Sequence, residues 1–329
     1  MMACAKGFLA EVCSRSGATA CLRYLNRGRK KVLTFHNVLP DSLMSRYPKN
    51  SVCESESRFR AIIRLLAKRY RFSTDLNDPS TLTITFDDGY CNEGEVAGRI
   101  LQEEGDIPAV VFASGKALNS VGMETALCVD RLLYWCDYAP DDAVMELTGF
   151  TNRRDAWLKV MRPAFCRDAQ GRGEHFFARC DGIYPFKKIV ALFDDEYRRL
   201  RFSGISEARL GELRSRGWVF GWHTNSHFQL GALPSEDVRE EMTPRDDMRG
   251  LPMSYPYGHE EQVGAAAVAV AEEFGFPVAY ADQMDPCALS GRWFAPRFEQ
   301  FEPKSSSLEF ELSGMKYFLK HHSLLPEIK

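Results

Sequence analysis

The sequence lacks several features that would settle its class at a glance. No stretch approaches the roughly 18 consecutive apolar residues of a membrane span. The short apolar run Gly7, Phe8, Leu9 and Ala10 is cut by Glu11 and Arg15, so a leader peptide with a long apolar centre is not expected. Positive charge is not in excess. The 42 Lys and Arg stand against 45 Asp and Glu, a net charge of −3, which excludes the basic footprint of a nucleic-acid-binding protein. Ten cysteines are scattered with no Cys-x-x-Cys pair, so free thiols in a reducing compartment are expected rather than a disulfide framework. Repeats and low-complexity linkers are absent as well. These absences lead us to expect a protein of the cytoplasm, at most peripheral to a membrane. The one local concentration of basic charge is Arg27, Arg29, Lys30 and Lys31. It reads either as a solvated helix end or as a contact for anionic lipid or a phosphate-bearing substrate.

What is present is an alternation. Short β-rich runs at 31–35, 82–86, 108–112, 218–222, 253–255 and 278–281 are separated by helical patterns. The helix expected at 57–70 carries Phe59, Ile62, Ile63, Leu65 and Leu66 on its apolar side. Others are expected at 93–104 before Gly105, at 207–216 before Gly217, at 236–242 behind Ser235 as N-cap, and at 261–274 before Gly275. Strand and helix in strict turn argue for an α/β fold with a parallel sheet or barrel. Residues 119–204 break the rhythm and read as a mostly helical insertion. It would either pack over the outside of the barrel or form a lid beside a substrate cleft. The chain divides into an N-terminal helical segment (1–30), a barrel (31–302) and a C-terminal tail (303–329).

Three expected strands end in chemistry-bearing residues, and in parallel α/β folds such ends form the mouth where ligands bind. One ends in Asp87 and Asp88, another in His223 followed closely by His227, and a third in Tyr255, Pro256, Tyr257 and Gly258. Two imidazoles four residues apart reach one ion if the intervening chain turns helically. With one carboxylate they make a ligand set that leaves positions open for water and substrate. Adjacent aspartates repel and lose hydration on burial unless a cation lies near them. A lone Asp-Asp-Gly is most simply a turn, and a lone pair of histidines carries little. Their coincidence at strand ends is what points to a divalent ion.

The motifs Thr85-Phe86-Asp87-Asp88-Gly89-Tyr90, His223-Thr224-Asn225-Ser226-His227 and Tyr255-Pro256-Tyr257-Gly258 resemble, in order and separation, those of the polysaccharide deacetylases, the NodB-homology domain or carbohydrate esterase family 4. Leu33-Thr34-Phe35-His36-Asn37-Val38 is similar to an early strand of many members. The resemblance spans about residues 30–300. It implies a deformed (β/α)7 barrel and a metal-dependent hydrolase that removes acetyl from an N-acetylated sugar, whether polymeric, lipid-linked or nucleotide-linked, in surface glycan assembly. It implies Asp87 as general base, and Asp88, His223 and His227 as ligands of Zn²⁺, with Co²⁺ or Ni²⁺ also suited to such a set. It further implies an oxyanion contact from the backbone N–H of Tyr257. Pro256, Tyr257 and Arg297 are placed among the substrate-facing residues.

Two departures stand out. Ser254 occupies the position where many members carry an arginine that orients the catalytic aspartate, and Arg297 is the candidate replacement. The family's late Leu-x-His acid is matched literally by Leu319-Lys320-His321 in the tail, but His36, directly after an early strand, ranks first as the acid, ahead of His259 and His321. The competing readings are a hydrolase of another amide or ester, and an inactive member that binds glycan or metal.

Overall fold

The computed structural model describes residues 2–48, 53–119, 126–168, 173–299 and 304–327. Seven parallel strands carry the fold: β1 (Lys31–Phe35), β2 (Thr81–Asp88), β3 (Ala109–Ala113), β4 (Val219–Trp222), β5 (Met253–Ser254), β6 (Ala279–Ala281) and β7 (Ala295–Pro296). They pair in chain order. The ring closes where the chain just past β7 returns to β1: Phe298 N donates to Val32 O at 2.9 Å and Thr34 N donates to Phe298 O at 2.9 Å. The result is the deformed (β/α)7 barrel, with the helical insertion between β3 and β4. Val32, Val110, Phe112, Val278, Tyr280 and Ala295 form one buried cluster of the strands, and a larger core lies between the strands and the helices around them. Strands buried on both faces explain why they read as near-continuous β-branched and aromatic runs rather than as alternations.

The register brings the chemistry to one rim. Phe35 pairs with Phe86, so His36 lies level with Asp87. Asp88 pairs with Ala113, and Ala113 with Trp222, which brings His223 to the same height. Ser254 pairs with Tyr280, and Ala281 with Pro296, so Asp282 and Arg297 follow together.

Several local expectations are corrected. The helix at 57–70 is Glu56–Ala67, and its N-cap is Ser55, whose hydroxyl accepts from Arg58 N at 3.3 Å. Ser235 is the first residue of its helix rather than the cap, because Pro234 with its fixed φ takes the cap position. The stretch after Gly89 opens with a π-type turn, Glu93–Ala97, before Gly98–Glu103. The tail is two helices, Ser305–Leu312 and Met315–His321, which pack with the N-terminal helices Met2–Arg15 and Ala18–Leu25 around Ala10, Leu22, Phe310 and Met315. The basic run is half folded in. Lys31 is buried with Nζ donating to Asn26 O and Arg29 O, and Lys30 Nζ donates to Asp75 O, Asp78 O and Thr81 Oγ1. Cysteines 13, 21, 53, 91, 128, 136, 166, 180 and 287 form no disulfide among the described residues; the Cys4 thiol lies outside them. No helix among the described residues is long and apolar enough to cross a membrane.

Candidate active site

At the C-terminal rim the chain leaves its strands through backbone that ordinary residues avoid. Among the described residues, six non-glycine positions have φ in the left-handed region, and four of them are Asp88 (88°), Thr224 (63°), His227 (62°) and Tyr257 (62°). Each such position costs on the order of 1–3 kcal/mol, and strain of this kind gathers where side chains must be aimed. His223 and His227 therefore meet across a tight irregular turn, not along a helix as their spacing suggested. Thr224 Oγ1 accepts from His227 N at 3.2 Å, and the two rings lie 4.9 Å apart. Gly89 has φ of 84°, and a Cβ there would stand 2.7 Å from the Ala113 Cβ, so only glycine fits behind Asp88. Glu93 ties the turn down by accepting from Gly89 N at 3.2 Å and Tyr90 N at 3.0 Å.

Asp88, His223 and His227 are buried, and one potential ligand atom from each lies within 4.8 Å of the others. Asp88 Oδ1 faces His223 Nε2 at 3.6 Å and His227 Nε2 at 3.5 Å, and has no hydrogen-bond partner. His223 is fixed at its other nitrogen: Ser254 Oγ lies 2.7 Å and Ser254 O 2.9 Å from Nδ1. Donation from Nδ1 to the carbonyl leaves Nε2 as a lone pair aimed at Asp88. Burial pushes His223 down to about 4 and His227 well below its ordinary value, so both rings are neutral near pH 7. Burial drives the Asp88 carboxyl the other way, up to about 7, with His36 opposing and Asp130 and Asp87 reinforcing. Two imidazole nitrogens and a carboxylate oxygen without a hydrogen-bond partner thus converge, and the donor set fits a divalent ion.

Asp87 is held differently. Arg297 donates to it through both outer nitrogens, Nη1 to Oδ1 at 2.8 Å and Nη2 to Oδ2 at 2.6 Å. Its Nε donates to Asp282 Oδ1 at 2.9 Å, and its side chain is fully buried. Burial alone would raise the Asp87 carboxyl; Arg297 outweighs it and holds the group well below the usual carboxylate range. Arg297 was expected among the substrate-facing residues and also as the replacement for the orienting arginine; its guanidinium is engaged by Asp87 and Asp282, which agrees with the second expectation and not with the first.

The other histidines separate clearly. His36 stands half-buried at the rim. Burial lowers its pKa, but Asp88, Asp87, Asp282 and Glu299 together raise it above the ordinary value. His259 is exposed ahead of the helix Glu260–Glu273, and His321 lies 2.8 Å from Asp285 on the tail. Pro256 is buried. The Tyr257 ring lies 4.8 Å from His227, and its hydroxyl donates to His227 O at 3.3 Å.

The insertion borders this rim. Phe165 lies 5.9 Å from the Tyr257 ring, and Tyr90 Oη donates to Asp130 Oδ2 at 2.5 Å while Arg201 Nη2 holds Asp130 Oδ1 at 2.6 Å. Sequence reading missed Asp282, Glu299, Ser254 as a partner of His223, and the Asp130–Arg201 pair. Asp282 carried a usable signal, since it ends its strand just as Asp87 and Asp88 end theirs. The Asp130–Arg201 pair, 71 residues apart, carried none.

No family model matches the chain, and no curated protein sequence does. Solved structures are similar to it. IcaB from Ammonifex degensii aligns with a TM-score of 0.49 at 15% identity, over 87% of this chain and 97% of that one. BC0361, a polysaccharide deacetylase from Bacillus cereus, aligns with a TM-score of 0.48 at 14% identity, over 87% and 68%. The BpsB deacetylase domain from Bordetella bronchiseptica aligns with a TM-score of 0.43 at 13% identity, over 83% and 96%. The functional reading rests on the side chains described above rather than on these likenesses.

Replacing Arg297 with Met leaves Asp87 and Asp282 buried without their cation, which should cost about 3–5 kcal/mol of stability at neutral pH. Asp87 is depressed in the fold, so its contribution is present above its ordinary value of 3.8 and is lost as pH falls further. The gap between wild type and Arg297→Met, measured by urea unfolding, should therefore narrow on acidification below about pH 4. A gap that stays constant with pH would show that the pair does not carry the effect.

Proposed function

We propose that the chain is a divalent-metal-dependent hydrolase that removes the acetyl group from an N-acetylated sugar in the assembly of a surface polysaccharide or glycolipid. The observation that carries this reading is the meeting of an ionised, arginine-held Asp87 with the three lone-pair donors of Asp88, His223 and His227 on one rim.

Asp88, His223 and His227 would hold the ion, with Zn²⁺ as first choice and Co²⁺ or Ni²⁺ suited to the same donors. A bound ion would polarise the acetyl carbonyl and make a neighbouring water more acidic. Asp87, kept ionised by Arg297, accepts the proton of the attacking water. The backbone N–H of Tyr257 donates to the oxygen that gains charge as water adds. His36, held protonated by the carboxylates around it, donates to the nitrogen as the C–N bond breaks, and acetate and a free amine leave. Pro256, Tyr257 and Phe165 border the place where the sugar lies. Aromatic faces beside a polar cluster suit a carbohydrate ring better than an extended apolar ligand.

Two measurements test the reading. Acetate release from a panel of N-acetylated glycans should be measurable for wild type. Asp87→Asn should retain the metal but lose about 10²- to 10⁴-fold of the turnover, because an amide does not take up the proton. Turnover near that of wild type would leave Asp87 a structural residue. For His36, the protonated form is the active one, so the rate should fall as pH rises through its raised pKa. His36→Ala should lack that alkaline limb with metal content intact, whereas an unchanged profile would assign the proton to another group.

A further inference from the structure

The chain beyond Asp88 has to be held for its carboxyl to stay aimed at His223 and His227, because Asp88 leaves its strand with φ of 88° and Gly89 follows with φ of 84°. Much of that hold comes from the far end of the insertion. Gly89 O accepts from Ile205 N at 3.1 Å, Cys91 N donates to Ser203 O at 2.7 Å, and the Asn92 side-chain amide donates to Leu200 O at 2.9 Å. Tyr90 faces Gly204 in an antiparallel bridge. Residues 200–205 are where the insertion returns to the barrel, and the return is tight: a Cβ on Gly204 would stand 1.9 Å from Ala117 O.

Arg201 lies inside this return with its side chain fully buried. Its guanidinium is 4.8 Å from the Tyr90 ring, 5.3 Å from Tyr134 and 5.5 Å from Phe202, and Nη2 donates to Asp130 Oδ1 at 2.6 Å. Asp130 Oδ2 accepts from Tyr90 Oη at 2.5 Å, and Tyr90 Oη accepts from Leu127 N at 3.0 Å. Tyr90 is thereby gripped at its hydroxyl from residues 127 and 130, at its ring from Arg201, and along the flanking backbone from residues 203 and 205. An ion pair this deep costs its hydration, and apolar residues of the same volume often do as well or better for stability. Net stability therefore does not explain the pair. What the pair provides is direction: a charged acceptor held at one angle, onto which a single hydroxyl two residues from Asp88 is locked.

We propose that Asp130, Arg201 and Tyr90 are positioning residues through which the insertion fixes the backbone of Asp88, and that the affinity of the site for a divalent ion depends on them although none is a ligand. The inference rests on the ligand set proposed above and extends it beyond the barrel. Both ends of the insertion contribute, Asp130 from the helix Cys128–Tyr138 and Arg201 from the helix Asp195–Phe202. The insertion is then part of the geometry of the mouth and not only a cover beside it. Groups one step behind metal ligands change affinity by about ten- to hundredfold when they are lost.

The test compares the full chain with Tyr90→Phe, which removes only the hydroxyl, with Asp130→Asn, which removes the charge paired to Arg201, and with Tyr134→Phe as control. Tyr134 Oη lies 2.6 Å from Tyr197 Oη, so the control loses a buried hydroxyl whose hydrogen bond stays within the insertion. Two readouts are taken: hydrogen–deuterium exchange of the chelator-treated chain at Gly89–Glu93, and the dissociation constant for Co²⁺. Tyr90→Phe should speed exchange at Gly89, Tyr90 and Cys91 and weaken Co²⁺ binding, each by about tenfold or more, and Asp130→Asn should go further. Tyr134→Phe should do neither, even at an equal loss of thermal stability. Tyr90→Phe leaves the ion pair in place, so it decides the matter if Asp130→Asn does not fold. A wild type that binds no Co²⁺ would overturn the metal reading, and the exchange readout would still judge the positioning role. Unchanged exchange in Tyr90→Phe, unchanged affinity where wild type binds Co²⁺, or changes as large in Tyr134→Phe would overturn the proposal.

Discussion

The carboxylates Asp87, Asp88 and Asp282 lie almost or wholly out of water at the barrel mouth, and a single buried guanidinium, Arg297, stands between two of them. Buried charge without a partner is costly, and the fold answers in two ways. Arg297 takes Asp87 and Asp282 in a forked set of hydrogen bonds, while Asp88 is aimed at two imidazoles that burial keeps neutral. A divalent cation has the sign that suits this set of donors. Burial, with Asp130 and Asp87 nearby, drives the Asp88 carboxyl up to about 7.

Much of the local structure follows from keeping these groups in register. Parallel pairing brings His36, Asp87, His223, Ser254, Asp282 and Arg297 to one height, each just at or past the end of its strand. The strained turns at Asp88, Thr224, His227 and Tyr257 then point side chains inward rather than continuing the strands. Ser254 supplies a small hydroxyl that fixes His223, and the cation over Asp87 comes from Arg297, just past β7.

The barrel was legible because its strands are short, β-rich and evenly punctuated, and because the residues that end them are chemically distinctive. Asp87, Asp88, His223 and His227 could be singled out from residue type and spacing alone. The way the histidines meet could not, because a positive φ at Thr224 and His227 leaves no mark in residue type; the helical i, i+4 geometry was the natural inference and the chain does not use it. The role of Arg297 was half legible, as a spare cation after a strand, but its burial depends on the depth of the barrel. Asp130 and Arg201 were silent, since a buried pair within an irregular insertion has no periodicity to betray it. The Ser235 cap failed for a simpler reason: the preceding Pro234 already supplied the helix start.

The insertion ties these levels together. Its Asp130, paired with Arg201, accepts from the hydroxyl of Tyr90, two residues beyond Asp88, and its Phe165 leans on Tyr257, so it steadies both sides of the mouth. The account depends most on the cation between Asp88, His223 and His227. The most direct measurement is anomalous X-ray diffraction from crystals of the protein grown with zinc, collected on both sides of the metal absorption edge. The account predicts one strong peak bonded to His223 Nε2, His227 Nε2 and a carboxylate oxygen of Asp88, with Asp87 beside it but still paired to Arg297. No peak at that point, or a metal held by Asp87 in place of Asp88, would contradict it.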